Sequence, residues 1–363
     1  MNDKNHQLDW KWQLRNQIRT VEKLAALFPL STEEKQAIID LDDRFRLGIT
    51  PYYLDLMDPS DINCPIRRQA IPLLAEKITL PQEQADPLAE ERDMPVIGVT
   101  RRYPNRALLY LTHTCAVYCR HCTRRRKVGD PVSNNKKDQI TTAIEWLQNH
   151  PEINDLILSG GDPLAWSDSR LESLIARVRP FVTVLRIGTR HPTTMPQRIT
   201  SELANMLAKY PPIYIMTHFN HPKECTPQAA LALQRLADAG CVISNQTVLL
   251  KGINDNASTL RQLHLWLLAN RCRPYRLYHC DYTEGVGHFR VSFQRGLEIV
   301  KALRGHSSGL ALPEYIVDLP NGMGKVRVSE GQPNGNQWKF TNWQGQTITI
   351  ADNPDAAPPN FTG

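Results

Sequence analysis

The sequence predicts an α/β protein built on a partial six-unit (β/α) barrel of the TIM type, with a helical extension before the barrel and a small β extension after it. From about residue 107 onward, short β-rich runs alternate with helix-like stretches, and the repeats are about 30 residues apart with one longer gap. Such alternation implies right-handed βαβ units and a parallel sheet. Six units in series favour an open or partial barrel over a flat doubly wound sheet. The six predicted strands lie at 107–111, 156–158, 182–187, 213–216, 242–250 and 275–278.

The predicted helices follow from apolar residues that recur every three or four positions. Residues 10–28 carry such a stripe and predict one amphipathic helix. A second helix is predicted to begin at Ser31, because Ser31 and Glu34 have the spacing of a capping box. Between the strands, helices are predicted at 140–147, 171–178, 203–209, 229–239 and 260–268.

The segments outside the barrel predict a division into three parts. Residues 50–104 are rich in proline and low in periodicity, which indicates a connecting arm, and 337–351 alternate around a turn that ends at Gly345, which predicts a hairpin. A further helix is expected near 292–304, and the residues from 352 onward are expected to be frayed. The expected parts are a helical and arm region (1–95), the barrel core (96–305) and a C-terminal segment (306–363).

The composition excludes some classes of protein. With 41% hydrophobic and 22% charged residues the chain is typical of soluble globular proteins, and no apolar run reaches the roughly 18 residues that a membrane span needs. The N-terminus lacks the layout of a secretory signal, so a cytoplasmic location is expected. The net charge of +6 fits anionic small molecules as well as nucleic acid and does not choose between them.

Three of the eight cysteines, Cys115, Cys119 and Cys122, lie in one short window directly after the first predicted barrel strand. Eight cysteines in 363 residues are too few for a disulfide scaffold, and clustered cysteines indicate a metal. A structural zinc needs four ligands, and although His113 or His121 could complete a set, no second CxxC pair exists. Three thiolates would instead leave one iron of a [4Fe–4S] cluster open to a substrate or cofactor.

The CxxxCxxC spacing of these cysteines resembles the radical S-adenosylmethionine (SAM) superfamily. The resemblance implies that the open iron binds SAM, and that an electron from the cluster splits SAM to give a 5′-deoxyadenosyl radical. The segment "SGGDPL" at 159–164 is similar to the glycine-rich segment that receives the SAM amino group. Without the resemblance, the two glycines could equally form a tight turn. The residues expected at SAM are Ser159, Gly160, Gly161 and Asp162.

A narrower resemblance extends over almost the whole chain. It is carried by "RYPNRALLYLT", "CRHCTRRR", "LSGGDPL", "RIGTRHPTTMPQRIT", "THFNHP", "NQTVLLKGINDN", "HCDYTEGVGHFR", "LRGHSSG" and "VDLPNGMGK", and all are similar to the lysine 2,3-aminomutase family. That family uses pyridoxal phosphate (PLP) as well as SAM. The resemblance implies that the radical takes a hydrogen from C3 of L-lysine held on PLP, that the amino group moves from C2 to C3, and that β-lysine forms while SAM is regenerated.

The resemblance assigns the cofactor lysine and two substrate acids. Lys325, which alone would be an ordinary solvated loop residue, matches the position that joins PLP, a task for which the amine must be neutral part of the time. Asp281 and Asp318, which alone would be a strand-end cap and a turn residue, match the positions that bind the ε-ammonium of lysine. A glutamate-specific enzyme would not want two acids there, so the pair favours lysine.

The remaining site residues are basic or polar. Arg124 matches the position that binds the substrate carboxylate, a bidentate task that suits a guanidinium, while Arg125, Arg126 and Lys127 are interpreted as a solvated cationic face. The positions that surround PLP in the family correspond to Arg102, Arg106, His218 and Gln246.

The chain also departs from the family pattern. The resemblance implies a structural zinc at the subunit interface of larger members, but here no cysteine follows Cys280 and the barrel position is Asn256. A short form without zinc and a different or weaker homo-oligomer contact, dimer or higher, is therefore expected. Two alternatives stay open: the aminomutase that makes β-lysine for modification of elongation factor P, and an aminomutase that acts on arginine.

The expected partners are an amino acid substrate and an electron donor such as flavodoxin or ferredoxin. A zinc-stabilised nucleic-acid surface was the competing class, but it would cluster basic residues with exposed aromatics, whereas here the charges are distributed and acids number 37. Neither a nucleic-acid nor a membrane partner is expected.

Overall fold

A nine-stranded sheet dominates the computed structural model, which describes residues 8–130 and 137–352. The strands follow one another in chain order, β2 to β8 run parallel, and β1 and β9 pair antiparallel at the two edges. They are β1 (Val99–Tyr103), β2 (Arg106–Thr112), β3 (Asp155–Gly160), β4 (Val184–Gly188), β5 (Ile213–Thr217), β6 (Val242–Leu249), β7 (Cys272–His279), β8 (Glu314–Leu319) and β9 (Gly324–Arg327).

Helices connect the parallel strands and bury their apolar stripes against the sheet. The six predicted strands are confirmed as β2 to β7, and the predicted partial barrel is confirmed with them. A seventh parallel strand, β8, is not predicted by the sequence, because no further βα repeat follows it and its apolar run is short. The connecting helices are α6 (Lys137–Gln148), α7 (Asp168–Val178), α8 (His191–Thr194), α9 (Ser201–Leu207), α10 (Pro227–Asp238), α11 (Ala257–Ala269) and α12 (Phe293–Leu303).

The two edges of the sheet approach each other, so the barrel is nearly closed. The Arg102 guanidinium of β1 lies 3.3 Å from the Asp318 carboxylate of β8. The backbone N–H of Lys325 in β9 donates to the Tyr103 hydroxyl over 3.0 Å. Side chains of the first and last strands therefore share one rim of the barrel.

The N-terminal region differs from the predicted single helix over 10–28. Two helices form, and between them Ile18 pairs with Ile49 while the Gln17 amide donates to the carbonyl oxygens of Cys115 and Ala116. These long-range contacts outweigh the local helical pattern. The capping box at Ser31 and Glu34 is confirmed. The helices here are α1 (Trp10–Arg15), α2 (Val21–Leu27), α3 (Thr32–Leu41), α4 (Pro51–Leu54) and α5 (Pro65–Arg68).

A three-stranded antiparallel sheet follows the barrel: β10 (Gln332–Asn334), β11 (Gln337–Thr341) and β12 (Thr347–Ala351). The hairpin predicted over 337–351 is confirmed as β11 and β12. Its buried face packs on α12, where the Phe293 ring lies 5.1 Å from the Phe340 ring. The fraying expected at the end of the chain concerns residues that, from 353 onward, lie outside the described part.

No helix within residues 8–130 and 137–352 has the length and apolar character needed to cross a membrane. The division at residues 95 and 305 stays a prediction, and the main sheet itself continues past residue 305 through β8 and β9.

Candidate active site

The three clustered cysteines lie in the loop that leaves the C-terminal end of β2. Their neighbours in the loop are held by distant backbone: Tyr118 N–H donates to the Gly48 carbonyl over 2.8 Å and Arg120 N–H donates to the Gln69 carbonyl over 2.9 Å. All three cysteines are free and partly exposed. The N-terminal region therefore fixes the shape of the loop from outside the barrel.

The two glycines after β3 pack directly on this cysteine loop. The Gly161 N–H donates to the Thr112 carbonyl over 2.5 Å, and a Cβ atom at Gly161 would lie 2.5 Å from the Thr114 carbonyl oxygen. Only glycine fits at such a separation, which is shorter than real Cβ contacts. The glycine pair thus sets the distance between the cysteine loop and the end of β3.

Asp162 shapes the same turn. Its carboxylate accepts hydrogen bonds from Leu164 N–H (3.0 Å), from the Thr189 hydroxyl (2.8 Å) and from Arg190 N–H (2.7 Å). Both oxygens accept hydrogen bonds in this way, so Asp162 stabilises the turn, and its expected contact with SAM stays a prediction.

The thiols fit an iron–sulfur cluster better than a single zinc ion. Among the described residues, no three His, Cys, Asp or Glu side chains converge on one ion, which a zinc site completed by His113 or His121 would require. A [4Fe–4S] cluster places each thiolate on a different iron and needs no such convergence. The CxxxCxxC spacing of three cysteines on one loop therefore suits a [4Fe–4S] cluster.

Arg190, which the sequence analysis missed, connects the cysteine loop to a buried polar group. Its Nη1 atom lies 2.7 Å from Cys119 Sγ, and its Nη2 atom lies 2.7 Å from Glu224 and 2.6 Å from Gln69. Glu224 is fully buried, so the Arg190 charge is fixed in place. Arg190 therefore links one of the three clustered cysteines to the buried acid Glu224.

Arg124 follows the last cysteine and contacts the glycine turn. Its Nη1 atom donates to Ser159 Oγ over 3.0 Å and to the Gly160 carbonyl over 3.3 Å. Its Nη2 atom lies 2.6 Å from Glu90, a buried acid of the arm. The expected carboxylate-binding arginine and the expected SAM turn are therefore adjacent.

Lys325 lies on β9 directly opposite Asp318 of β8, not in a flexible loop as the sequence suggested. The Lys325 ammonium forms an ion pair with the Asp318 carboxylate, which also receives Arg102. Burial alone would lower the pKa of Lys325, but the neighbouring Asp318 carboxylate raises it above its usual range. The sequence analysis expected a partly neutral amine, whereas in this state the pair keeps Lys325 protonated.

Asp281 follows β7 and belongs to the same rim. Its Oδ1 atom is buried and has no hydrogen-bond partner among the described residues. Burial, and then repulsion by the Asp318 carboxylate, raise the pKa of Asp281 to about 7. An acid with one buried oxygen that lacks a hydrogen-bond partner, beside a second acid, is a fitting site for a substrate ammonium.

The other residues expected around PLP divide into three groups. The buried Nε atom of Arg102 has no hydrogen-bond partner in the described residues, and the Asp93 carboxylate lies 3.7 Å from it. His218 follows β5 close to the Gln246 backbone of β6, and burial, then the Arg190 charge, lower the pKa of His218 to about 4, so the ring is neutral at pH 7. Arg106 lies apart: it is exposed, and its guanidinium covers the Tyr103 ring at 3.9 Å.

The prediction of a solvated cationic face after the cysteines is wrong for Arg125. Its side chain is 4% exposed and forms an ion pair with fully buried Glu76, which also binds Arg120 at 2.6 Å. Arg126 and Lys127 are partly exposed and pair with Glu91 at 3.3 Å and 2.7 Å, which agrees better with the prediction.

The residues that the sequence analysis missed share one feature. Glu76 and Glu90 come from the arm, and Arg190 comes from the loop after β4. Each of these charged residues lies in a segment that contains proline or has no regular periodicity. Its burial therefore cannot be predicted from a periodic pattern. An excess of acids in an arm that precedes a cluster of arginines was the available signal.

Comparison with known proteins agrees with this geometry. The radical SAM superfamily profile matches residues 109–263. An L-lysine 2,3-aminomutase from Acetoanaerobium sticklandii is 47% identical and covers 96% of this chain and 85% of that protein, and one from Clostridium subterminale is 48% identical over 88% and 77%. A glutamate 2,3-aminomutase from Clostridioides difficile is 42% identical over 95% and 84%. The chain therefore belongs to the lysine 2,3-aminomutase family of the radical SAM superfamily.

Proposed function

We propose that the protein is a radical SAM, PLP-dependent isomerase that moves the α-amino group of L-lysine from C2 to C3 and gives β-lysine. The family supplies the reaction class, with a [4Fe–4S] cluster, SAM and PLP as its cofactors. The observation that carries the choice of substrate is the acid pair Asp281 and Asp318 at one rim of the barrel. Two carboxylates bind the terminal ammonium of lysine and repel a second carboxylate.

Glutamate is a competing candidate substrate, because one of the relatives is a glutamate 2,3-aminomutase. The glutamate side chain would place its carboxylate against Asp281 and Asp318, and the repulsion between carboxylates would weaken its binding. Arginine stays an alternative substrate, because its guanidinium is a cation that the two acids could also bind. An enzyme whose β-lysine is later attached to elongation factor P would carry out the same reaction on free lysine, so that alternative concerns only the fate of the product.

The proposed residue roles follow the two ends of the substrate. Cys115, Cys119 and Cys122 hold the cluster, and the backbone of 159–161 beside them lines the SAM site. Arg124 receives the α-carboxylate, because its guanidinium lies against that same turn. Asp281 and Asp318 bind the ε-ammonium. The substrate is thus held at both ends while its C2 and C3 atoms stay between them.

Lys325 is proposed to join PLP, with Arg102, His218 and Gln246 as further contacts and Arg106 at a greater distance. Bound PLP supplies the conjugated nitrogen through which an amino group can migrate between neighbouring carbons. Lys325 must first lose its proton and leave Asp318. Once Lys325 has done so, Asp318 is available to the substrate ammonium.

The substrate proposal is tested with the reconstituted enzyme, SAM, PLP and a reductant. Lysine, arginine, ornithine and glutamate are supplied separately, and the β-amino acids are resolved by chromatography. We expect β-lysine as the main product. A faster conversion of arginine or glutamate than of lysine would overturn the proposal.

Lys325→Ala tests the cofactor role separately. The variant should lose the visible absorbance of lysine-bound PLP and keep the iron and sulfide content of the wild type. Lys339→Ala, which removes an exposed lysine from β11, is the matched control and should keep both properties. Unchanged PLP absorbance in Lys325→Ala would remove this residue from its role.

A radical SAM enzyme requires a reductant, and we propose flavodoxin or ferredoxin as its source. We also propose a homo-oligomer without zinc at the interface, because Asn256 at the expected zinc position accepts from Thr259 N–H over 2.9 Å as the N-cap of α11. Light scattering of the holoenzyme tests the oligomer. The cytoplasmic location likewise stays a proposal, supported by eight cysteines that are all free.

A further inference from the structure

The buried acid Glu90 holds the arginine that we expect at the substrate carboxylate. Glu90 is 3% exposed, and its carboxylate lies 3.0 Å from Arg124 Nε and 2.6 Å from Arg124 Nη2. The Tyr110 hydroxyl donates to the same carboxylate, and the Thr100 hydroxyl donates to the Glu90 carbonyl over 3.3 Å. Glu90 is therefore fixed on both its backbone and its side chain.

The hydrogen bonds of Arg124 define what remains for a ligand. A guanidinium has five N–H groups. Glu90 and the Tyr110 hydroxyl share the one on Nε, and Glu90 takes one on Nη2. Ser159 and Gly160 take the two on Nη1. The second Nη2 N–H has no partner among the described residues. It lies beside the Nη1 N–H groups, which donate to the turn expected at SAM.

We propose that Glu90 is a positioning residue, which holds Arg124 so that the remaining Nη2 N–H receives the α-carboxylate of the amino acid. This proposal rests on the proposed function. A free arginine side chain loses rotamer entropy when it is fixed. Because Glu90 fixes it before the substrate arrives, that loss does not weaken substrate binding.

The opposite arrangement would make Glu90 a placeholder that the substrate carboxylate displaces. Displacement would leave a carboxylate buried without its cation, which is strongly unfavourable. Burial alone would raise the pKa of Glu90, but the Arg124 charge outweighs it and lowers the pKa to about 2, so the acid is ionised at pH 7. The two arrangements predict opposite changes in lysine affinity when the charge of Glu90 is removed.

The experiment compares the wild-type holoenzyme with Glu90→Gln. We expect the KM for lysine to rise about tenfold or more, since a charge-assisted pair is lost, while kcat changes much less because the carboxylate is held alike before and during the reaction. The inhibition constant of 1,5-diaminopentane, which is lysine without its carboxylate, should stay within about twofold. A loss of affinity for lysine but not for 1,5-diaminopentane is expected only if Glu90 acts on binding of the lysine α-carboxylate.

Glu34→Gln is the matched control, because Glu34 is also buried and paired with an arginine, Arg67, at 2.6 Å, but outside the barrel. It should leave both constants unchanged in folded protein. If Glu90→Gln fails to fold, Tyr110→Phe removes the hydroxyl that donates to Glu90 and accepts from Arg124 Nε over 2.9 Å, while the charge of Glu90 stays. It should raise the KM for lysine by a smaller factor with the same selectivity.

Tighter lysine binding in either variant would establish the placeholder and overturn the proposal. An equal loss for lysine and 1,5-diaminopentane would overturn it too, because it would show a general disturbance of the pocket. If the wild-type enzyme converts no lysine, the proposed function is wrong. If the wild-type enzyme converts lysine and the variants have the same KM for lysine, only the positioning role of Glu90 is wrong.

Discussion

The acid pair at the rim of the barrel shows how single residues set the chemistry. Asp318 lies between two cations, Lys325 and Arg102, whereas Asp281 has a buried oxygen without a partner. Two acids of the same type therefore have different surroundings. Burial and the neighbouring carboxylate raise the pKa of Asp281, and a further cation would favour its ionised form.

The raised pKa of Asp281, about 7, predicts a pH dependence of lysine binding. Below pH 7 the Asp281 carboxyl is neutral and attracts the ε-ammonium weakly; above it the carboxylate is charged. The dissociation constant of lysine should fall as the pH rises from 6 to about 8 and level off beyond, while the charges on lysine itself hardly change. Titrations of the holoenzyme at a series of pH values measure this.

Asp281→Asn is the control for that titration. It should bind lysine weakly and lose the change near pH 7, while Asp318 and its cations remain in place. A wild-type constant that stays flat between pH 6 and 8 would contradict the assignment of Asp281.

At the level of elements, the end of β3 and the cysteine loop after β2 fit together through glycine. The Gly161 position tolerates no Cβ, because the Thr114 carbonyl oxygen would lie 2.5 Å away. Both segments leave neighbouring parallel strands at the same edge of the sheet, where the fold places functional loops. The spacing of the cysteines is thus maintained by a contact from another strand.

Gly161→Ala should displace the cysteine loop and lower the iron and sulfide content per chain after reconstitution. We expect a loss of at least half of the iron, together with a lower Tm, because backbone must move to admit the methyl group. Gly309→Ala is the matched control, since a Cβ atom there meets nothing within 4 Å. Equal iron content in the two variants would show that the loop adapts without cost.

At the scale of the whole molecule, the N-terminal region and arm form part of the active-site support. Glu76 of the arm is fully buried between Arg120 and Arg125, which flank the last cysteine. Burial alone would raise the pKa of Glu76, but the two arginines lower it to about 2. Its stabilising contribution is therefore complete above its usual pKa and is lost as the pH falls toward 2.

Glu76→Gln should destabilise the protein by about 3–5 kcal/mol, because two buried arginines lose their anion. Urea unfolding at pH 7 measures the free energy of unfolding. Glu284→Gln removes the acid of the exposed Arg44 pair at 3.1 Å and should cost less than about 1 kcal/mol. Similar losses in the two variants would mean that the Glu76 cluster does not hold the arm on the barrel.

The sequence was sufficient for those parts of the fold that repeat. Strands β2 to β7, the helix that begins after Ser31 and the hairpin of β11 and β12 all follow from local periodicity and turn residues. The single helix predicted over 10–28 failed because Gln17 and Ile18 make contacts with residues far along the chain. No window of sequence contains such contacts.

The sequence by itself determined the order of the βα units, the cysteine spacing and the candidate residues, because periodicity and motif spacing are local properties of the chain. Only the tertiary structure decided which charges meet. It placed Lys325 on Asp318, Arg124 on Glu90 and Arg125 on Glu76, partners that are 7, 34 and 49 residues apart. The cost of burying a charge depends on its neighbours in space, so the protonation and orientation of the site residues depend on the folded chain.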